Sequence, residues 1–180
     1  MAATAPSLRG TWAALGFTFA LVLLFTVSAT YHRVHWTAEK RAWMRRADHA
    51  SIFVLIAGTY TPIALVGLPN DVGNRMLIIV WCGAALGVLQ TLFWIRAPKV
   101  VTALLAIACG WVVLLDWDAA VASLNAFQVR WLVAGGVVYS VGALFYATKR
   151  PNPVPGVFGY HEMFHLCTII AGVKIGRAHV

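Results

Sequence analysis

The sequence predicts an all-α fold, a polytopic bundle of transmembrane helices with six spans in this chain. Three observations carry that expectation. Of 180 residues, 61% are hydrophobic and only 11% charged, whereas a soluble domain is about half apolar and about a quarter charged. A chain of this size cannot hide so much apolar surface in one core, so lipid must be the solvent for most of it. The apolar residues gather into runs near the ~20 residues that a membrane helix needs: 11–31, 49–68, 75–95, 99–117, 127–147 and 157–173. The basic residues sit in the short gaps between runs, as the positive-inside rule expects. The net charge of +8 therefore belongs to a membrane protein, and no nucleic-acid partner is expected.

The first run is too long, and lacks the flanks, for a cleaved signal. Pro62 lies inside the second run and predicts a kink, which membrane helices tolerate. Gly83, Gly87, Gly135 and Gly136 suit close helix packing in lipid. Cys82, Cys109 and Cys167 fall inside apolar runs without metal-type spacing or a disulfide framework, so they read as small packing residues. The sixth run is short. Its continuation, Lys174 to Val180, reads KIGRAHV; written as AAG ATC GGA AGA GCA CAC GTC, it matches a common short-read sequencing adapter. Residues 174–180 are therefore expected to be an assembly scar outside the fold. Without them Lys plus Arg falls from 14 to 12 and the net charge from +8 to +6.

Orientation follows from the gaps. Arg33, Lys40, Arg41, Arg45 and Arg46 fill the first, Arg96 and Lys99 the third, and Lys149 and Arg150 the fifth. The second gap holds only Asp71, with Arg75 just after it, and the fourth holds Asp118 beside Asp116 and no cation. The odd gaps are thus expected in the cytoplasm and both ends of this chain outside.

Ionisable residues in or at the edge of membrane helices default to functional hypotheses. Ser28 and His32 lie four apart at the end of the first run and share a helix face. Asp48 and His49 are expected to open the second helix. His161 and His165 lie four apart in the first turns of the sixth. All these positions border cytoplasmic gaps, so His32, Asp48, His161 and His165 fall at similar depth on one side. Three imidazoles with an open position suit catalytic zinc, which lowers the pKa of its water to about 7. Asp48 is placed to hold or deprotonate that water. Ser28 is placed as a hydrogen-bond partner behind the ligands or as a substrate contact.

Taken singly, each residue has a plainer role. A lone His at a helix end is more often interfacial, and Asp48 at a helix start would serve as an N-cap. Their agreement in depth favours a metal site. His35 and His49 read as interfacial, the aromatics as belt and packing residues, and Tyr31 and Tyr60 as packing residues more than cavity lining. His161-Glu162-Met163-Phe164-His165 also matches H-E-x-x-H, the zinc-protease pattern in which Glu is the general base. Two things weigh against that reading. His32 and Asp48 already supply a third ligand and an acid, and Glu162 lies about 100° around the helix from His161.

These motifs resemble the hemolysin III proteins, which belong with the adiponectin and progestin receptors. The resemblance rests on Ser28–His32, on Arg46-Ala47-Asp48-His49 with Ala57-Gly58-Thr59-Tyr60-Thr61-Pro62, and on His161–His165. Gly110-Trp111 and Phe158-Gly159-Tyr160-His161-Glu162 also fit the bacterial branch. It covers roughly residues 11–173. It implies a seven-helix fold with a cytoplasmic N-terminus, of which residues 1–173 form a single transmembrane domain lacking the first family helix, in a bacterial inner membrane. It also implies His32, His161 and His165 as Zn2+ ligands, with Asp48 holding the zinc-bound water, Ser28 close by and Glu162 outside the ligand set. The function it suggests is a zinc-dependent hydrolase acting on a lipid amide, in contact with membrane lipids. The alternatives are a pore-forming cytolysin and a non-catalytic receptor or membrane-homeostasis protein. A pore should need a polar stripe along a helix, and no run has one. Reading the source DNA tests the tail: the adapter codons are expected over 174–180, and any other codon choice overturns that reading.

Overall fold

The computed structural model describes residues 7–94, 97–154 and 158–177. Arg96 of the third gap, position 157 of the sixth run and His179 of the tail lie outside them. Among the described residues the regular structure is helical, apart from an isolated bridge between Val154 and Phe158. Helix α1 is Leu8–Arg33, and α2 is Ala38–Pro62, extended by a π-turn at Ile63–Gly67. Then follow α3 (Asn70–Phe93), α4 (Lys99–Gly110), a 3₁₀ turn (Val112–Asp116), α5 (Trp117–Ser123), α6 (Ala126–Thr148) and α7 (Tyr160–Arg177). Five spans are long and apolar enough to cross a membrane: α1, α2 with its π-turn, α3, α4 through α5, and α6. Helix α7, with 18 residues and a polar first turn, is shorter than these.

Helix α2 begins earlier than its apolar run. Thr37 precedes it and Glu39 sits in its first turn, where a carboxylate favours the helix dipole. The lead-in Ala38–Arg46 is polar but made of good helix formers, which hydropathy alone does not mark. Asp48 and His49 therefore do not open the helix; they lie about three turns into it. The N-cap role for Asp48 is excluded, because Thr37 occupies that position.

From Asp48 to Pro62 nearly every residue of α2 is buried, as expected of a helix that is apolar all round. The other spans gather about it and turn residues such as Phe19, Leu86, Leu104, Val137 and Leu144 outward. Two close approaches set the frame. A Cβ on Gly58 would lie 2.3 Å from the Cβ of Ala20, locking α1 against α2. One on Gly142 would lie 2.6 Å from the Cβ of Cys167, locking α6 against α7. Small residues let backbones approach this closely in lipid.

The fourth run does not make one continuous helix. Helix α4 stops at Gly110, and the chain turns through 3₁₀ geometry before α5. Backbone groups freed at membrane depth must find partners. The buried Tyr60 hydroxyl donates to the Gly110 carbonyl (2.7 Å) and accepts from the Val113 amide (3.2 Å), and Trp111 Nε1 donates to Ser140 Oγ (2.9 Å). Tyr60 is thus the packing residue expected, with this bonding role added. At Pro62 the α-helix gives way to the π-turn.

Gly142→Leu should force α6 from α7 at a cost of about 1–3 kcal/mol, the usual size of overpacking. The expected outcome is a lower melting temperature in detergent; an unchanged one would show that this approach does not constrain the bundle.

Candidate metal centre

The site is assembled from both ends of the chain. His32 lies in the last turn of α1. The turn that follows is tied back by Trp36 Nε1, which donates to the Thr30 carbonyl (3.1 Å). Asp48 comes from α2. His161 and His165 come from the first two turns of α7, one helical turn apart. The start of α7 is held by two local bonds: Glu162 Oε2 accepts from the Gly159 amide (2.9 Å), and Asn152 Oδ1 accepts from the Tyr160 amide (3.0 Å).

One donor atom each from His32, Asp48, His161 and His165 lies within 4.8 Å of the other three. Asp48 is 0% exposed. Its Oδ2 sits 3.1 Å from His161 Nε2 and 3.0 Å from His165 Nε2. The two Nε2 atoms are 3.3 Å apart, close to the ~3.4 Å that two nitrogens about 2.1 Å from one tetrahedral metal would show. A buried carboxylate is costly unless its charge is paired, and Asp48 Oδ1 is buried with no partner in the protein. Three imidazoles and one carboxylate are ligand types that hold divalent transition metals. By spacing, charge and chemistry, this group can hold a metal ion.

The other expected residues fall as follows. Ser28 is half-buried one turn before His32 and stands outside the group of four. Glu162 also stands outside it. Its carboxylate reaches back to its own helix start, half of a capping box, so the H-E-x-x-H match places two donors and one cap. His35 is exposed. His49, read as interfacial, instead stacks on His161 with ring centroids 5.0 Å apart, while its Nδ1 lies 2.6 Å from the Arg45 carbonyl. Placing the start of α2 at Ala38 accounts for this, because it carries His49 into the bundle beside Asp48. Tyr31 packs edge-on against His32 at 4.7 Å and also lines a cavity of about 510 Å³ that opens beside His32 and His161. Segments from the first, third and fifth gaps meet at this end of the bundle. Arg75 pairs with Asp116 away from them.

A family model described as haemolysin-III related matches residues 1–174. The chain is 32% identical over 142 residues to the "Hemolysin-3 homolog" of Bacillus subtilis (strain 168), covering 77% of this chain and 66% of that relative. It is 32% identical over 130 residues to "Hemolysin-3" of Bacillus cereus, covering 72% of this chain and 59% of that one. The chain thus spans less than two thirds of the length of these curated relatives. No solved structure gives a significant match.

Calorimetric titration of the detergent-purified protein with a divalent transition metal should show one strong site. Asp48→Asn is expected to weaken it about 10–100-fold, the usual cost of losing a supporting carboxylate, and His165→Ala to abolish it. Equal binding in all three proteins would sink the four-donor group.

Proposed function

The chain belongs to the haemolysin-III-related family of membrane proteins, and on that footing we propose that it is a zinc-dependent hydrolase of lipid amides. It would lie in a bacterial plasma membrane with its metal centre toward the cytoplasm. The observation that carries this reading is where the four donors sit. On one side is the 510 Å³ cavity, lined largely by polar and aromatic groups. Deeper along α1, α2 and α7, one to several helical turns from the donors, is a separate apolar cleft of about 160 Å³ that includes Phe17, Leu24, Leu55 and Ile169. An acyl chain in the cleft and a headgroup in the cavity would bring the bond between them to the metal centre.

His32, His161 and His165 would hold the zinc, which supplies a Lewis acid and lowers the pKa of water to about 7. Asp48 Oδ1, buried and without a protein partner, is positioned to take the proton of the attacking water. It would pass that proton to the departing amide nitrogen, so that acid and amine leave as a balanced pair. Asp48 Oδ2 lies 3.1 and 3.0 Å from the Nε2 atoms of His161 and His165, so the carboxylate would stand beside the nitrogens that hold the metal. Ser28, one turn before His32 on α1, would contact the substrate or support the ligands by a hydrogen bond. The apolar cleft would exclude water from the chain side. A lytic pore, the role suggested by the relatives' names, fits less well, because the buried and largely apolar α2 runs through the middle of the bundle.

The test is zinc content together with release of fatty acid from an N-acyl lipid. About one zinc per chain is expected in the wild type, lost in His32→Ala and in His161→Ala/His165→Ala. Asp48→Asn that still carries zinc should lose about 10²-fold or more in rate, the usual worth of general acid–base catalysis. A well-folded wild type with no zinc would overturn the metalloenzyme reading; zinc without hydrolysis of any lipid amide would overturn the reaction.

A further inference from the structure

The cavity beside the metal centre is strongly cationic. Arg41, Arg45 and Arg46 from α2 and Lys99 from the start of α4 line it. Glu162 supplies the one carboxylate of the lining, and that carboxylate is engaged by the Gly159 amide. Among the described residues no acid forms an ion pair with any of the four cations.

Two of the cations are also held in place. Lys99 Nζ donates to the Tyr160 hydroxyl and lies over the rings of Tyr160 and Tyr146, 4.0 and 4.9 Å from their centroids. The Arg41 guanidinium stands 5.9 Å from the centroid of Tyr31. The Arg41 flank therefore leads to the metal centre through one ring and the Lys99 flank through two. Tyr31 packs against His161 at 6.3 Å, and Tyr146 packs against His49, which stacks on His161. Unpaired charges gathered from two helices around a cavity of ligand size have a natural counterpart in an anion with several acceptor oxygens.

We propose that this cavity binds a phosphate-class anion, either the phosphate headgroup of a lipid or free phosphate, through Arg41, Arg45 and Lys99. The site rests on the charge and geometry of the cavity and does not depend on bound zinc or on hydrolysis. The plainer account is that these residues only satisfy the positive-inside bias. Arg33 and Lys40 separate the two accounts, because they lie in the same gap but do not line the cavity.

The experiment measures binding to protein in phosphatidylcholine nanodiscs, with phosphatidylglycerol or inorganic phosphate as the added probe. It compares the wild type with Arg41→Gln/Arg45→Gln, Lys99→Gln, the control Arg33→Gln/Lys40→Gln and His161→Ala/His165→Ala. At least one probe should bind the wild type. Its affinity should fall about a hundredfold or more in Arg41→Gln/Arg45→Gln and about tenfold or more in Lys99→Gln, as charge-assisted bonds are lost, and should stay within about twofold in the control. Phosphatidylglycerol binding that millimolar phosphate does not displace identifies the lipid source; phosphate binding with the same dependence identifies the free anion. Binding that survives in His161→Ala/His165→Ala separates this site from the metal reading. If neither probe binds, or the control loses as much as the cavity variants, the proposal is overturned. It is also overturned if phosphate binding disappears only in the His variant, since the anion would then be held by the metal alone. Should the double Arg variant fail to fold, Lys99→Gln decides.

Discussion

A carboxylate with no exposed surface sits inside a bundle whose outer solvent is lipid, and much of the structure follows from the need to satisfy it. Asp48 lies on the most buried helix of the molecule, where an unpaired charge is among the costliest features a chain can carry. Its Oδ2 is shared by two imidazoles from the far end of the chain, while Oδ1 has no protein partner. Replacing a whole buried charged group and its partners by well-packed apolar residues is often neutral or stabilising. Its presence is therefore a reason to look for chemistry at this point. Three imidazoles gathered about it give that chemistry a metal-binding form.

The geometry depends on helix packing some distance from the site. Lipid provides no hydrophobic force between helices, so their spacing is set by shape and by polar bonds. Ala20 against Gly58 fixes α1 on α2, and Gly142 against Cys167 fixes α6 on α7. The first contact governs the distance from His32 to Asp48; the second governs where His161 and His165 arrive. Tyr60 adds a third constraint by closing the freed backbone where α4 ends. A site of four donors within 4.8 Å is thus held by contacts one to several helical turns away.

Much of this was legible in the sequence, because the signals concerned are periodic or cumulative. The six apolar runs, the alternation of basic gaps and the i,i+4 spacing of His161 and His165 each depend on many residues or on helix geometry. Together they bring His32, Asp48, His161 and His165 to one end of the bundle. What the sequence did not disclose depends on local competition. The start of α2 is hidden because Ala38–Arg46 forms helix through propensity and not through hydropathy. With that start misplaced, His49 reads as interfacial although it stacks on His161. The break after Gly110 is equally silent, since Gly110-Trp111-Val112 is as apolar as its surroundings and the hydroxyl that satisfies the break comes from Tyr60, fifty positions earlier. Glu162 read only as for or against metal chemistry, and the Gly159 amide shows its carboxylate turned back to the helix start instead.

The same end of the chain shows how one set of residues can serve two physical demands. Positive charge at a cytoplasmic gap satisfies membrane insertion wherever in the gap it falls. That demand is indifferent to whether a side chain points outward, like those of Arg33 and Lys40, or lines a cavity, like those of Arg41, Arg45 and Lys99. Topology therefore explains the number of cations and not their placement. The placement has its own physical signature: Lys99 is held between two tyrosine rings and bonded to one of them, an ordering that costs side-chain entropy and that a purely topological charge does not require. Beside a buried carboxylate and three imidazoles, cations without an acidic partner among the described residues create a field that favours anions at the mouth of the candidate metal centre and disfavours cationic headgroups. The electrostatics of the cavity thus bear on which molecules reach the four donors, and the donors about Asp48 bear on what can be held there.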